Sequence, residues 1–159
     1  MGIDQLINMK MKKLFSFTIL FAGTILMMAF NPIKEEVYTV DVVNSSIGWS
    51  AKKVGGGHTG TVKITEGSLV YNGKSLQKGV FLMDMSSITS DNARVTTHLK
   101  SPDFFSAEKN PSSKFEITKV TAAGKERVNI TGNLTIKGIT HPLTFPATVK
   151  QGKGVVVAV

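Results

Sequence analysis

Residues 128–138 read VNITGNLTIKG, and they carry the clearest signal of the fold class, because apolar and polar residues alternate along them. Val128, Ile130, Leu134 and Ile136 occupy one set of alternate positions, and asparagine, threonine and lysine occupy the other. Successive side chains of a β-strand point to opposite faces of a sheet. The alternation therefore predicts an antiparallel strand with one buried face.

The same period recurs on both sides of this stretch. TVKIT (61–65), KFEITKV (114–120) and LTFPATV (143–149) alternate in the same way, and turn signals such as YNGKS and AAGKE separate the segments. GVFLMDM (79–85) is apolar at nearly every position, which predicts a strand covered on both faces. About eight short strands with tight connections indicate an all-β fold, an antiparallel barrel or a sandwich, and not alternating strands and helices.

One long interruption, residues 86–111, separates two of the strands. Within it, DNARVTTHL (91–99) predicts a short helix capped at Asp91. SPDFFSAEKNP (101–111) predicts one further helical turn, with Ser101 as N-cap and Pro102 at the first helical position. There is no internal repeat and no low-complexity linker, so the sequence indicates a single folded domain.

The first 32 residues differ from the rest of the chain. Lys10, Lys12 and Lys13 precede an uncharged apolar run, residues 14–30. A basic cluster before an apolar run is typical of a secretory signal peptide, and a retained N-terminal anchor is the alternative. We therefore expect export to the periplasm or to the outside of the cell, with residues 33–159 as the folded domain.

The composition limits the classes of function. The chain of 159 residues contains no cysteine, which excludes disulfides, thiolate metal sites and a cysteine nucleophile. Its net charge of +8 could attract nucleic acid or anionic lipid. The lysines are scattered, however, with no run longer than Lys52-Lys53 after the leader. We interpret them as solvated faces and expect no nucleic-acid partner, with weak attraction to membrane head groups as the alternative.

Catalytic and metal-binding signals are weak. His58, His98 and His141 are expected on separate loops and lack the short spacing of a zinc site. No G-x-S-x-G nucleophile motif occurs, and Asp84, in an otherwise apolar strand, is expected to make a structural hydrogen bond to a loop. GGGHTG (55–60) is expected to be a tight turn, because no helix follows it. The sequence predicts no enzyme, no metal and no cofactor.

The alternation also predicts which side chains face the interior. A barrel of about eight strands can be filled by side chains or can hold one small ligand. Methionine adapts to irregular apolar shapes and suits a chain-like ligand, whereas ordinary core packing is the alternative. The predicted inward residues are Trp49, Val62, Ile64, Phe81, Met83, Met85, Phe115, Ile117, Ile130 and Phe145.

Several stretches resemble one known family. GWSAKKVGGGHTGTVKITEGSL, LMDMSSITSDN, HLKSPDFFSAEKNPSSKFEITKV and GNLTIKGITHPLTFPATV occur in that order. Together they closely resemble the YceI-like, polyisoprenoid-binding family in its Bacteroidetes-type form, over about residues 37–149. The most specific element is HLKSPDFF…EKNPSSKF, which is similar to the family's H-L-x-S-x-D-F-F…E-K-x-P-x-x-x-F signature. Asn133 stands where the family usually has aspartate.

The resemblance implies a lipocalin-like antiparallel barrel that holds a long isoprenoid or other amphiphilic lipid and performs no reaction. It implies an exported carrier or a stress-related lipid-binding protein. Phe104 and Phe105 would then fold over the barrel and shield the tail, ahead of the inward strand that starts at Phe115. The family continues beyond GKGVVVAV, so we expect that the closing strands are missing and that a sheet edge is exposed.

Two other functions stay open at this point. One is a secreted structural or adhesive β-sandwich with a fully packed core and no ligand. The other is a hydrolase, which would need a convergent cluster of histidine, aspartate and serine. The oligomeric state is open as well, with a dimer among the alternatives.

Overall fold

The alternating segments form one antiparallel sheet in the computed structural model, which describes residues 34–53, 55–151 and 155–158. The predicted leader, residues 1–32, lies outside the described residues. The strands are β1 (Glu36–Thr39), β2 (Ser46–Lys53), β3 (Gly56–Tyr71), β4 (Leu76–Asp84), β5 (Ser112–Ala122), β6 (Arg127–Ile136), β7 (Ile139–Gln151) and β8 (Val155–Ala158).

The strand order is β1-β3-β4-β5-β6-β7-β8, and β2 also pairs with β3. Each pair is antiparallel, as the turn signals between the alternating segments predicted. Among the described residues no pairing joins β8 back to β1 or β2, so the sheet curls without closing. The predicted all-β class with a short helical insertion is confirmed.

One face of the sheet carries the buried side chains, and we call it the inner face. Its positions are 62, 64, 67, 69 and 71 on β3, 76, 79, 81 and 83 on β4, and 113, 115, 117, 120 and 122 on β5. On β6 and β7 it continues through the even positions from 128 to 136 and the odd positions from 139 to 149. The alternation predicted for residues 128–138 is therefore the alternation between inner and outer faces.

Three β-bulges, at Thr65, Gln77 and Thr118, shift the alternation within single strands. Thr65 is an extra residue on β3, since Ile64 pairs with Met83 and Glu66 pairs with Leu82. Thr118 is the corresponding extra residue on β5. A bulge adds one residue to one strand, so the inner face changes from even to odd positions after Thr65 and from odd to even positions after Thr118.

The β4 prediction was wrong in one respect. Phe81 and Met83 face the core, but Val80 on the outer face is 37% exposed. Leu82, the other apolar residue of the outer face, is half-buried, and no second layer covers this face among the described residues, so the strand is fully covered on one face only.

The insertion, residues 86–111, contains a helix, α1 (Ala93–Lys100), preceded by a 3₁₀ turn (Met85–Ser87). The helix cap is Asn92 and not Asp91, because the Asn92 side chain accepts hydrogen bonds from the N–H groups of Arg94 and Val95. The predicted second helical turn is also wrong. Ser101 ends α1, and its hydroxyl donates to the His98 carbonyl oxygen at 2.7 Å, while residues 102–105 and 107–109 form turns.

The three histidines lie on regular elements and not on loops: His58 on β3, His98 on α1 and His141 on β7. The GGGHTG stretch is a turn only at its start, since Lys53 pairs with Gly56 and the following residues belong to β3. Within the described part of the chain, no helix is long and apolar enough to cross a membrane.

Candidate functional site

The residues predicted to face inward mostly reach the core. Seven of them are buried: Val62, Ile64, Met83, Met85, Phe115, Ile117 and Ile130. Trp49, Phe81 and Phe145 are half-buried and pack against the core cluster. Met85 lies one residue beyond β4, in the 3₁₀ turn, where its sulfur accepts a hydrogen bond from the Ser113 hydroxyl at 3.1 Å. Of the ten side chains predicted to face inward, seven are therefore buried and three are half-buried.

The two phenylalanines of the insertion behave differently. Phe105 packs against the core cluster, whereas Phe104 is 45% exposed. Their rings contact each other edge to face, with centroids 4.6 Å apart, and the His98 ring lies 5.9 Å from that of Phe104. Of the predicted pair, Phe105 covers the core and Phe104 stands at the surface of the insertion.

The inner face of β3 to β7 carries no aspartate, glutamate, lysine or arginine at any of its positions. Its polar residues are Tyr71, Ser113 and His141. An unpaired buried charge is costly, so an uncharged face is what an apolar core or an apolar ligand requires. The outer face, by contrast, presents charges such as the Lys114–Glu116 ion pair at 2.8 Å.

Glycines on the inner face let large side chains lie flat against the sheet. A Cβ added at Gly132 would come within 2.4 Å of the Phe115 ring, and one at Gly79 would come within 2.7 Å of Leu69. The ring of Phe115 therefore occupies the space that a side chain at position 132 would fill. Because these side chains lie over glycines and not upright, they occupy less of the space above the inner face.

Large apolar side chains remain exposed at the end of the sheet that carries the insertion. Ile139 is 60% exposed and Leu143 is 40% exposed, and both belong to the inner face by register. Phe104 adds a third apolar side chain at this end, because the Lys137 ammonium in the β6–β7 turn donates to the Phe104 carbonyl oxygen at 3.1 Å. Large apolar side chains exposed on one part of a surface commonly mark a ligand or interaction site.

The insertion is fastened to β3 by a row of polar contacts. The Thr89 N–H donates to the Thr61 carbonyl oxygen at 3.0 Å, and the Asp91 N–H donates to the Thr59 carbonyl oxygen at 2.8 Å. The indole N–H of Trp49 donates to the Thr89 carbonyl oxygen at 3.1 Å. Through these bonds, residues 89–91 run beside β3 and position α1.

An exposed histidine–carboxylate pair ends this row. His58 Nδ1 lies 3.0 Å from Asp91 Oδ1, and the Thr59 N–H donates to Asp91 Oδ2 at 3.2 Å. The hydrogen bond with His58, followed by those from Ser90 and Thr59, lowers the pKa of Asp91. This carboxylate already has three structural partners, so the pair is a fastening of the insertion and not a free catalytic dyad.

Asp84 has the structural role expected of it. Its carboxylate accepts from the Ser86 N–H at 2.8 Å and from the Ser86 hydroxyl at 2.5 Å, and it caps the 3₁₀ turn. The hydroxyl bond is the largest of the effects that lower the pKa of Asp84. The histidines lie on three different elements, and the described residues hold no group of three histidine, aspartate or glutamate side chains that could bind a metal ion.

A groove of about 560 Å³ lies near the β5–β6 turn, on the part of the sheet where Arg127 pairs with Thr148. Its lining is largely charged: Lys125, Glu126, Arg127, Thr148 and Lys150. Charged side chains around a groove favour a polar or charged partner, so this groove suits a lipid tail less well than the uncharged inner face does.

Comparison with known proteins agrees with this fold. The family model of the YceI-like domain matches residues 38–159. The chain belongs to the YceI-like family. This family is known for polyisoprenoid binding and is not known as enzymatic, so membership supports a lipid-binding barrel at the level of the family.

Individual relatives are moderately similar. A UPF0312 protein of Pseudomonas putida strain W619 is 30% identical over 138 residues, which cover 84% of this chain and 71% of that protein. A UPF0312 protein of Pseudomonas aeruginosa strain LESB58 is 38% identical over 84 residues, covering 52% of this chain and 44% of that protein. The crystal structure of Burkholderia cenocepacia BcnA has a TM-score of 0.62 at 24% identity, covering 71% of this chain and 72% of that one, and shows the shared fold.

Sequence reasoning missed several buried residues of the inner face. Leu69 and Tyr71 follow the Thr65 bulge, so simple alternation from Val62 assigns them to the outer face. Leu76 begins β4 directly after a turn and has only 2% of its surface exposed. The available signal was that Leu69 and Tyr71 are both apolar and lie two positions apart, at odd positions of β3. The other missed core residues are Ile88, Leu99 and Ala107.

Proposed function

We propose that this YceI-like chain binds a long isoprenoid or similar amphiphilic lipid along its inner face, as an exported carrier or a stress-related lipid-binding protein. The observation that carries the proposal is the uncharged inner face, which continues from a buried core into the exposed Ile139 and Leu143. An apolar tail that covers these side chains removes their surface from water. Removal of about 25 cal/mol per Å² of apolar surface from water favours such binding.

The remaining elements of the proposal have separate support. The insertion stands beside the exposed end of the inner face, where Phe104 can cover a bound chain without displacing Phe105 from the core. Export rests on the leader pattern of residues 1–32, a basic cluster followed by an apolar run. The absence of any charge on the inner face favours a hydrocarbon chain over a polar metabolite.

The test is direct recovery of the ligand. The full chain is purified without detergent, extracted with organic solvent, and analysed by mass spectrometry for isoprenoid chains. The delipidated protein is then incubated with an isoprenoid quinone, and the bound quinone is measured after gel filtration. We expect recovery or uptake of a long apolar chain. A protein that yields no lipid and takes up none would instead favour the packed structural domain.

A further inference from the structure

The ladder between β4 and β5 stops before the two strands end. Its last pair is Gly79 with Ile117. Beyond that pair, Leu76 and Lys78 of β4 pair only with β3, and residues 119–122 of β5 pair only with β6, among the residues that the structure describes. Two neighbouring strands thus separate toward the β3–β4 and β5–β6 turns. We call the space between residues 75–77 and 118–122 the β4–β5 gap.

Two bulges produce this separation. Gln77 is an extra residue of β4 opposite β3, and Thr118 is an extra residue of β5 opposite β6. A bulge bends the strand that contains it. Gln77 bulges in the β3–β4 ladder and Thr118 in the β5–β6 ladder, so both bulges lie on ladders that border the gap strands on the side away from the gap. The Thr118 hydroxyl donates to the Thr131 carbonyl oxygen at 3.2 Å, which fixes the second bulge to β6. The gap is therefore held open by the register of its own sheet.

The gap contains a cavity of about 330 Å³ that reaches the inner face. Four of its lining residues, Leu76, Val120, Ala122 and Val128, occupy inner-face positions, and we call these four the floor. Leu76 belongs to the core cluster, and Val120 and Val128 pack against it. The volume lies at the lower end of the range of small-molecule sites, and the floor is apolar as such sites usually are.

The rim of the cavity is polar and positively charged. The other lining residues, Ser75, Gln77, Thr118 and Lys119, form this rim, and no carboxylate is among the lining residues. Lys119 forms no ion pair among the described residues. Lys74 and Lys78 flank residues 75–77 in the sequence, which adds positive charge beside the β4 side of the gap. Lysine ammonium groups bind phosphate as point charges, which favours an anionic partner at this rim.

We propose that the β4–β5 gap binds the anionic head of an amphiphile at Lys119, while its chain passes over Leu76, Val120 and Val128 into the interior. This inference rests on the proposed lipid-binding function and adds to it a head-group site and a chemical class. The head is a phosphate or a similar anion, and the chain enters from the side between two strands.

The test compares two probes that differ only in charge. Dodecyl phosphate and dodecanol are titrated, below the critical micelle concentration of the phosphate, into the delipidated full chain, and inorganic phosphate is titrated separately. Lys119→Gln removes the rim charge, and Ala122→Leu fills the floor. Lys150→Gln, in the charged groove, is the matched control, and thermal melting confirms that each variant folds.

We expect Lys119→Gln to weaken dodecyl phosphate binding about fivefold, as loss of an exposed ion pair does, and to leave dodecanol binding unchanged. Ala122→Leu should weaken both probes, and Lys150→Gln neither. Unchanged dodecyl phosphate affinity in Lys119→Gln and Ala122→Leu would overturn the proposal, as would inorganic phosphate binding as tightly as dodecyl phosphate. Isoprenoid recovered from the same preparation would show that lipid binding itself still stands.

Discussion

Lys137 joins the β6–β7 turn to the insertion, because its ammonium donates to the carbonyl oxygen of Phe104 at 3.1 Å. The same nitrogen lies 3.1 Å from the carbonyl oxygen of Pro102. Lys137 and Gly138 have φ values of 53° and 75°, as in the two-residue turns that suit hairpins. The turn geometry thus directs this lysine toward the backbone of residues 102–104.

Replacement of Lys137 by asparagine should loosen the insertion without changing the turn. Asparagine tolerates positive φ, so Lys137→Asn removes the ammonium and keeps the backbone conformation. We expect a loss of about 1 kcal/mol in the free energy of unfolding, because hydrogen bonds from charged groups exceed neutral ones but exposure weakens them. Hydrogen exchange should rise at the amides of Phe105 and Ala107.

Lys125→Asn is the control for this variant. Lys125 lies in the β5–β6 turn, and its side chain makes no hydrogen bond among the described residues. The amide hydrogen exchange of the Lys125→Asn variant across residues 101–110 should match that of the parent protein. Equal exchange in Lys137→Asn and Lys125→Asn would contradict the fastening role of Lys137.

Gly132 should be among the least replaceable glycines of the sheet. An added Cβ would lie 2.4 Å from the Phe115 ring and 2.6 Å from the Glu116 carbonyl oxygen. Gly132→Ala must therefore displace a buried ring or the backbone of β5, and we expect about 1–3 kcal/mol of destabilisation in urea unfolding. Gly48→Ala on β2 is the control, since a Cβ added there would have no atom within 4 Å. A loss within about 0.5 kcal/mol is expected there.

Much of the fold could be predicted from periodicity, because alternation and the face of a strand have the same physical origin. Phe115, Ile117 and Ile130 reach the core as predicted. Leu69 and Tyr71 could not be assigned, because the Thr65 bulge reverses the alternation and bulges leave little trace in a single sequence.

The insertion was less predictable for a different reason. Asp91 and Asn92 are both good helix caps, and local preference does not distinguish them. Tertiary contacts select the cap. The Asp91 carboxylate is hydrogen-bonded to His58 and to the Thr59 N–H, so Asn92 caps α1 instead. A contact between residues 33 positions apart is invisible to local pattern analysis.

The His58–Asp91 pair should make the attachment of the insertion sensitive to acid. Its hydrogen bonds lower the pKa of Asp91 in the folded protein relative to the unfolded chain. The stabilisation is therefore fully present above the unfolded pKa of about 4 and is lost as the pH falls through the lower, folded pKa. Asp91→Asn should be less stable than the parent protein at pH 7, and the difference should shrink below about pH 4.

Chemical unfolding at a series of pH values measures this difference. Glu126→Gln is the control, because its side chain makes no hydrogen bond among the described residues, and its curve should run parallel to that of the parent protein. Amide hydrogen exchange at residue 91 should be faster in the Asp91→Asn variant than in the parent protein at neutral pH. A stability difference that stays constant from pH 7 to pH 2 would rule out the proposed linkage.

The two faces of the sheet should respond differently to the same kind of substitution. Leu143 on the inner face and Val80 on the outer face are exposed to similar extents, 40% and 37%. Leu143→Asn and Val80→Asn should therefore cost similar, small amounts of stability, because neither side chain is deeply buried. Only Leu143→Asn places an amide where the proposed lipid chain lies, and an amide that loses water without a hydrogen-bond partner weakens binding. We expect quinone uptake to fall about tenfold or more in Leu143→Asn and to stay unchanged in Val80→Asn, as measured by gel filtration and extraction. Equal uptake by the two variants would remove the inner face as the lipid site.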